Sequence, residues 1–293
     1  MNWIRWAFQG PFGLRSGWRV AIWLGLAAVL QLLVAVIAIR GLGMSVPDST
    51  DEVLAFNGMA LAPAALLGTW ILTRFLDRQP LGTVGLAGPA GAAAAAVTIG
   101  IGLGIACVSA GVAVLTAGGF VDLDLESPGR ATLVFALLRV TLLLLLAAAY
   151  EEIFFRGYCF QWLARALGFW PVAIGSSFLF GVAHLGNDSV TLVAFLVIVL
   201  SGVLLAYSLR ISGGLWMPIG LHFGWNAAQG VLFGLPISGM PGLPSIASSR
   251  LEGADLWTGG GFGLEGSIVA FVSLAVGFAG LAARRKTRDT MDV

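Results

Sequence analysis

From Val20 to Ile39 the chain carries no charged residue, and apolar runs of comparable length recur along it. A bilayer's hydrocarbon core takes about 20 apolar residues per helix, and backbone groups in lipid must find partners within the segment. Such runs therefore fold as membrane-spanning helices. The same template picks out Leu54 to Thr73, a Gly-rich stretch from Ala92 to Gly118, a fourth segment beginning at Ala131, then Trp170 to Leu185, Leu192 to Leu209, Leu215 to Leu232 and Ser267 to Ala283. Pro171 and Pro218 fall near helix starts, where a missing N–H is harmless. Of the 293 residues 58% are hydrophobic and 11% charged, whereas soluble domains are roughly one quarter charged. The expected fold is all-α: a polytopic bundle of about eight transmembrane helices, forming a single integral membrane domain over residues 1–293.

Basic residues mark cytoplasmic loops. In an eight-helix layout Arg5, Arg15, Arg19, Arg74, Arg78, Arg156, Arg165, Arg210, Arg284, Arg285, Lys286 and Arg288 share one side, and only Arg40, Arg130 and Arg250 take the other. Both termini are therefore expected in the cytoplasm. The outer loops would carry Asp48, Asp51, Glu52, Asp122, Asp124, Glu126, Glu252, Asp255 and Glu265. Trp3, Arg5 and Trp6 lead through Arg15 and Arg19 into a run long enough to span, without a small-residue cleavage site, so the first helix is expected to be retained. Residues 233–266 read as a Gly/Pro/Ser-rich extracytoplasmic loop without helical period, long enough to serve as a lid or a partner-binding surface. A net charge of +1 with scattered basic residues gives no reason to expect a nucleic-acid partner. Cys107 and Cys159 lie in apolar surroundings, where thiols are inert and a disulfide is not expected.

Within this apolar chain the run Tyr150 to Arg156 holds two adjacent glutamates, Glu151 and Glu152. An ionisable side chain at membrane depth costs at least about 2.5 kcal/mol on insertion scales, so such residues face a bundle interior or a water-filled cavity and mark function. Glu152 and Arg156 share a helical face and can form an i,i+4 ion pair. Glu151 points about 100° away and is left free to accept a proton, as a general base must. The alternative is a charge cluster at a helix end, with Arg156 snorkelling to the cytoplasmic interface and both glutamates solvated. His184 and His222 are the chain's two histidines, each on an apolar helix. Either alone is compatible with a simple helix–helix hydrogen bond. His222 and Asn226, however, share a face, where imidazole and amide can both donate to an oxygen that develops negative charge. Gly181, Ala183, Gly220 and Gly224 flank the histidines and allow close approach of another backbone.

The depth of this cluster depends on where the fourth helix leaves the membrane. A continuous helix from Ala131 to Arg165 would be about 52 Å long against a core of about 30 Å, so a break near Gly157, a tilt or a protrusion is expected. If the segment crosses as far as Arg165, Glu151 and His184 are level, about 21 Å from that edge. If it leaves at Arg156, Glu151 is only about 7 Å deep.

Glu151-Glu152-x-x-x-Arg156, Phe180-x-x-x-His184 and His222-x-x-x-Asn226, extended by Phe155-Arg156-Gly157, together resemble the CPBP family: the CAAX prenyl proteases of type II and their bacteriocin-processing relatives, also called Abi. The resemblance covers about Ala147 to Gln229 and marks residues 131–232 as a catalytic core. It implies a glutamate-dependent intramembrane endopeptidase acting on membrane-associated or lipidated peptides and proteins, without a cofactor. Glu151 with His184 would position and deprotonate a water, His222 with Asn226 would stabilise the oxyanion, and Glu152, Arg156 and Phe180 would support the site.

Three rival readings use the same residues. Glu151, His184 and His222 could be zinc ligands with an open position for water, although the chain has no H-E-x-x-H segment. A transporter's proton relay would be accompanied by internal repeats, and none is evident. A non-catalytic role in bacteriocin immunity or peptide binding would preserve the motif without turnover. Arginine outnumbers lysine fifteen to one and Gly and Ala are abundant, which points to a high-GC genome and a bacterial cytoplasmic membrane. The expected partners are a peptide or membrane-protein substrate and the lipid bilayer; oligomeric state leaves no trace in the sequence.

Overall fold

The computed structural model describes residues 8–10, 13–41, 50–56, 60–86, 88–125 and 130–291. Trp3, Arg5, Trp6, Asp48 and Glu126 lie outside the described residues. A minimal hairpin, β1 (Gln9–Gly10) and β2 (Gly13–Leu14), precedes α1 (Ser16–Val36), which runs on to Gly41. Then come α2 (Thr50–Phe56), α3 (Ala62–Ile71, continued to Leu76) and α4 (Ala90–Ala117). Strand β3 (Val121–Leu125) leads to α5 (Arg130–Arg156), α6 (Tyr158–Leu167), α7 (Phe169–Ala183), α8 (Leu192–Ser212) and α9 (Trp216–Asn226, continued to Leu232). Strand β4 (Ala247–Leu251), a single turn α10 (Asp255–Thr258) and α11 (Ala270–Met291) complete the chain.

The fold is mostly helical, and four stretches are long and apolar enough to cross a membrane: residues 16–41, 90–117, 134–167 and 192–212. Residues 62–76 and 169–183 form shorter apolar helices. Helices that are apolar on every side suit burial in lipid and protein together. The expected span from Leu54 to Thr73 resolves into α2 and α3, with Pro63 in the first turn of α3, where proline is pre-set for a helix start.

Residues 121–125 and 233–266 carry local structure of their own. β3 pairs antiparallel with β4 from Val121↔Leu251 to Leu125↔Ala247, and β4, α10 and two 3-10 turns give residues 233–266 local structure. The strand is legible in retrospect. Val121-Asp122-Leu123-Asp124-Leu125 alternates apolar and acidic residues, the period of a half-buried strand, with Val121 buried and the aspartates exposed.

α5 and α6 form one membrane-length stretch with a break at Gly157. Its φ of −81° and ψ of −123° would drive a Cβ into the carbonyl of Ile153, so glycine is required there. The hydrogen-bond ladder nearly survives, since Gly157 N donates to Ile153 O and Gln161 N to Gly157 O. The unit runs antiparallel to α1. Ser16 Oγ donates to the Trp162 carbonyl, the Trp23 ring meets Phe154 at 4.9 Å, and Gln31 Nε2 donates to Tyr150 Oη at 3.3 Å. Gln31 is about 22 Å along α1 from Ser16, so Tyr150 and the neighbouring Glu151 lie well along α1 from the end at which Ser16 meets Trp162. Near Ser16 the loops are tied together by an Arg19–Asp77 ion pair, by Trp162 Nε1 donating to Asp77 and by Arg165 donating to the Thr83 carbonyl.

α4 and α9 lie closest to one another. A Cβ on Gly104 would strike the Leu221 carbonyl and the Trp225 amide, and one on Gly224 would strike the Ile101 backbone. Small residues let two backbones touch, and in a membrane such contact is a main source of helix association. Gly104→Ala or Gly224→Ala should each destabilise the fold by about 1–3 kcal/mol. Gly102→Ala, which meets no neighbouring atom, should be neutral. Thermal unfolding in detergent reads the difference; equal melting of all three variants would contradict the packing argument.

Candidate active site

Glu152 and Arg156, on the last two turns of α5, are both fully buried, so the solvated helix-end cluster is not what forms. Arg156 Nη1 donates to Glu152 Oε1 at 3.1 Å, and Nη2 donates to the Gly202 carbonyl of α8 at 3.2 Å. The guanidinium lies 4.5 Å from the centre of the Phe180 ring. Phe180 then packs against His184 at 4.6 Å and edge-on to His222 at 6.0 Å. One aromatic residue thus joins the ion pair to both histidines.

His222 binds back to the glutamates. Its Nδ1 lies 2.9 Å from Glu152 Oε1, and since a carboxylate only accepts, Nδ1–H is the donor. Its Nε2 faces Glu151 Oε2 at 3.8 Å, beyond hydrogen-bond reach. Glu151 Oε2 is buried without a hydrogen-bond partner among the described residues. His184 is the cap at the end of α7 rather than a mid-helix residue. Its Nδ1 lies 2.7 Å from the Phe180 carbonyl, which fixes the proton on Nδ1 and leaves the Nε2 lone pair available.

Glu151, His184, His222 and Asn226 all line one cavity of about 390 Å³. The structure therefore brings together the four residues singled out for chemistry, while Glu152 and Arg156 sit behind them. Small residues act as foreseen at α9, where Gly220 and Gly224 receive the α4 backbone, whereas Gly181 faces Phe195 and Val199 of α8. Cys107 and Cys159 are free thiols.

The 233–266 segment closes the cavity and adds residues that the motifs did not announce. Ile237, Ser238, Met240 and Glu265 line it, together with Asn187 and Ser201. Glu265 is only 5% exposed. Its Oε2 accepts from Ser238 N at 2.8 Å, Ser238 Oγ at 2.7 Å and Gln229 Nε2 at 3.4 Å. Burial pushes the Glu265 carboxyl above the usual carboxylate range, and the two bonds from Ser238 partly offset that. The sequence offered one weak signal: a lone carboxylate among Gly and apolar residues from Thr258 to Val269.

Among the described residues no group of three His, Cys, Asp or Glu side chains is placed to hold a metal, while the Nδ1 contacts of His184 and His222 leave both Nε2 atoms uncommitted. The buried ion pair sets a stability test. Arg156→Met leaves Glu152 with an uncompensated charge, and losing one partner of a buried pair costs about 3–5 kcal/mol. Arg156→Met with Glu152→Gln should recover much of that loss in thermal unfolding; two purely additive destabilisations would contradict the coupling.

Residues 133–228, which hold the three motifs, match the family model described as Type II CAAX prenyl endopeptidase, Rce1-like. No curated protein and no solved structure matches the chain.

Proposed function

We propose that this chain, whose residues 133–228 form a domain of the Rce1-like type II CAAX prenyl endopeptidase family, hydrolyses peptide bonds of membrane-associated or lipidated substrates inside the bilayer. The observation that carries the reading is the buried, unpartnered Glu151 oxygen in a cavity it shares with His184, His222 and Asn226. Glu151 and the His184 Nε2 hold a water, Glu151 takes its proton, and the water oxygen attacks the scissile carbonyl. His222 and Asn226 face the resulting oxyanion. With Nδ1–H held by Glu152, a proton on Nε2 makes His222 a donor, and the Asn226 amide, one turn further along α9, supplies a second. Glu151 then returns its proton to the leaving amine. Glu152, Arg156 and Phe180 position the histidines without touching the reacting atoms. Exclusion of bulk water strengthens each of these interactions.

The membrane arrangement belongs to the same proposal. Eight crossings place Arg19, Arg78, Arg165 and Arg210 at the cytoplasmic face, where the ties around Ser16 and Trp162 gather, and put β4 and the segment over the cavity outside. In protein with both native cysteines replaced, Glu252→Cys should react with an impermeant maleimide on intact cells and Arg78→Cys only after permeabilisation; the reverse pattern would invert the topology.

For catalysis, purified wild type should cleave members of a quenched peptide library. Glu151→Ala and His222→Ala should each lower cleavage at least a hundredfold at unchanged melting temperature, in line with general-base and oxyanion contributions of about 10²–10⁴. Metal content is measured on the same samples. A folded wild type that binds but never cleaves would assign the site to peptide binding, and activity that tracks stoichiometric zinc would replace the glutamate mechanism.

A further inference from the structure

The mechanism above leaves one buried titratable group unused. Glu265 lies outside the family domain, yet it lines the same cavity as Glu151 and is nine-tenths buried. Its carboxylate is anchored on one side only. Oε2 takes all three hydrogen bonds, from Ser238 N, Ser238 Oγ and Gln229 Nε2, and Oε1 makes none to a described residue.

The anchor is built with some strain. Ser238 adopts a φ of +47°, the left-handed region that residues with side chains seldom occupy, and so turns both its N–H and its hydroxyl toward Glu265. Its carbonyl is held by Asn187 Nδ2 at 2.8 Å, and the Gln229 amide is fixed by Trp225 Nε1 and the Pro236 carbonyl. Every one of these contacts orients a carboxylate rather than filling space. The cavity lining holds two carboxylates, Glu151 and Glu265, beside the two histidines, and neither lysine nor arginine. Arg156 is behind it, taken up by Glu152 and Gly202.

We infer that Glu265 sets substrate selectivity: its free oxygen receives a cationic nitrogen of the bound peptide, a Lys or Arg side chain or a free N-terminal ammonium, on the outer side of the scissile bond. This rests on the peptidase reading. A cation offsets the burial cost of the carboxylate, and a charge-assisted hydrogen bond in a desolvated cavity is among the stronger polar contacts.

The test uses the full-length protein in detergent and fluorogenic peptides identical but for one group: lysine against norleucine at a scanned position, and a free against an acetylated N-terminus. Wild type should prefer one cationic member by about tenfold or more in kcat/KM, mainly through KM, and the pair that responds identifies the source of the cation. Glu265→Gln should bring that ratio close to one, whereas Glu252→Gln, in the exposed part of the same segment, should leave it intact. If Glu265→Gln fails to fold, Glu265→Asp replaces it and should give an intermediate ratio. No preference in wild type, a preference that survives in Glu265→Gln, or an equal loss of kcat on every peptide would each overturn the inference. Should wild type cleave nothing, the peptidase reading fails by itself. Fluorescence-anisotropy binding of the same labelled peptides then decides: cation-selective binding lost in Glu265→Gln supports the role, and unselective binding overturns it.

Discussion

The Glu152–Arg156 ion pair organises the helices that line the cavity. Burying two charges is unfavourable unless they are paired and hydrogen-bonded, and here the partners beyond α5 come from three further helices, while Glu152 Oε2 and Arg156 Nε have none among the described residues. Arg156 reaches the Gly202 carbonyl of α8, stacks on Phe180 of α7 and pairs with Glu152, while Glu152 also accepts from His222 of α9. The pair can be satisfied only when α5, α7, α8 and α9 are assembled. It therefore links folding to the alignment of both histidines, one through Phe180 and one through Glu152.

Packing sets the stage on which that alignment occurs. Gly157 breaks α5 from α6 at a conformation closed to other residues, and the apolar stretch continues past the break. Glu151 and Glu152 consequently sit within that stretch rather than at its end. On the opposite side the glycines of α4 and α9 let the two backbones meet, which holds His222 and Asn226 on a rigid support. Rigid helices on either side of a small cavity keep donors and acceptors oriented before a substrate arrives, which is what electrostatic stabilisation of an oxyanion needs.

Residues 233–266 form part of the cavity wall. β4 is pinned to β3, Glu265 is anchored by Ser238 and Gln229, and Ile237 and Met240 close the apolar side. This wall lies outside residues 133–228, which match the family model, so the cavity is lined by two separate stretches of chain.

The membrane-length helices and the candidate site residues could be picked out from the sequence because both rest on local rules. Apolar length identifies a span, i,i+4 spacing puts Glu152 with Arg156 and His222 with Asn226, and a charge within an apolar run stands out wherever it lies. Three things were decided by tertiary structure alone. The position of Glu151 along α1 depended on how α5 and α6 pack against that helix, which no residue spacing reports. The commitment of His222 Nδ1 to Glu152, rather than to a free oxyanion site, depended on helices distant in the chain. Glu265 was legible only as one of several loop carboxylates, because its partners Ser238 and Gln229 are distant in sequence and arrive through the fold. Spacing along a helix reports neighbours on that helix, and the contacts that complete this cavity are made between helices.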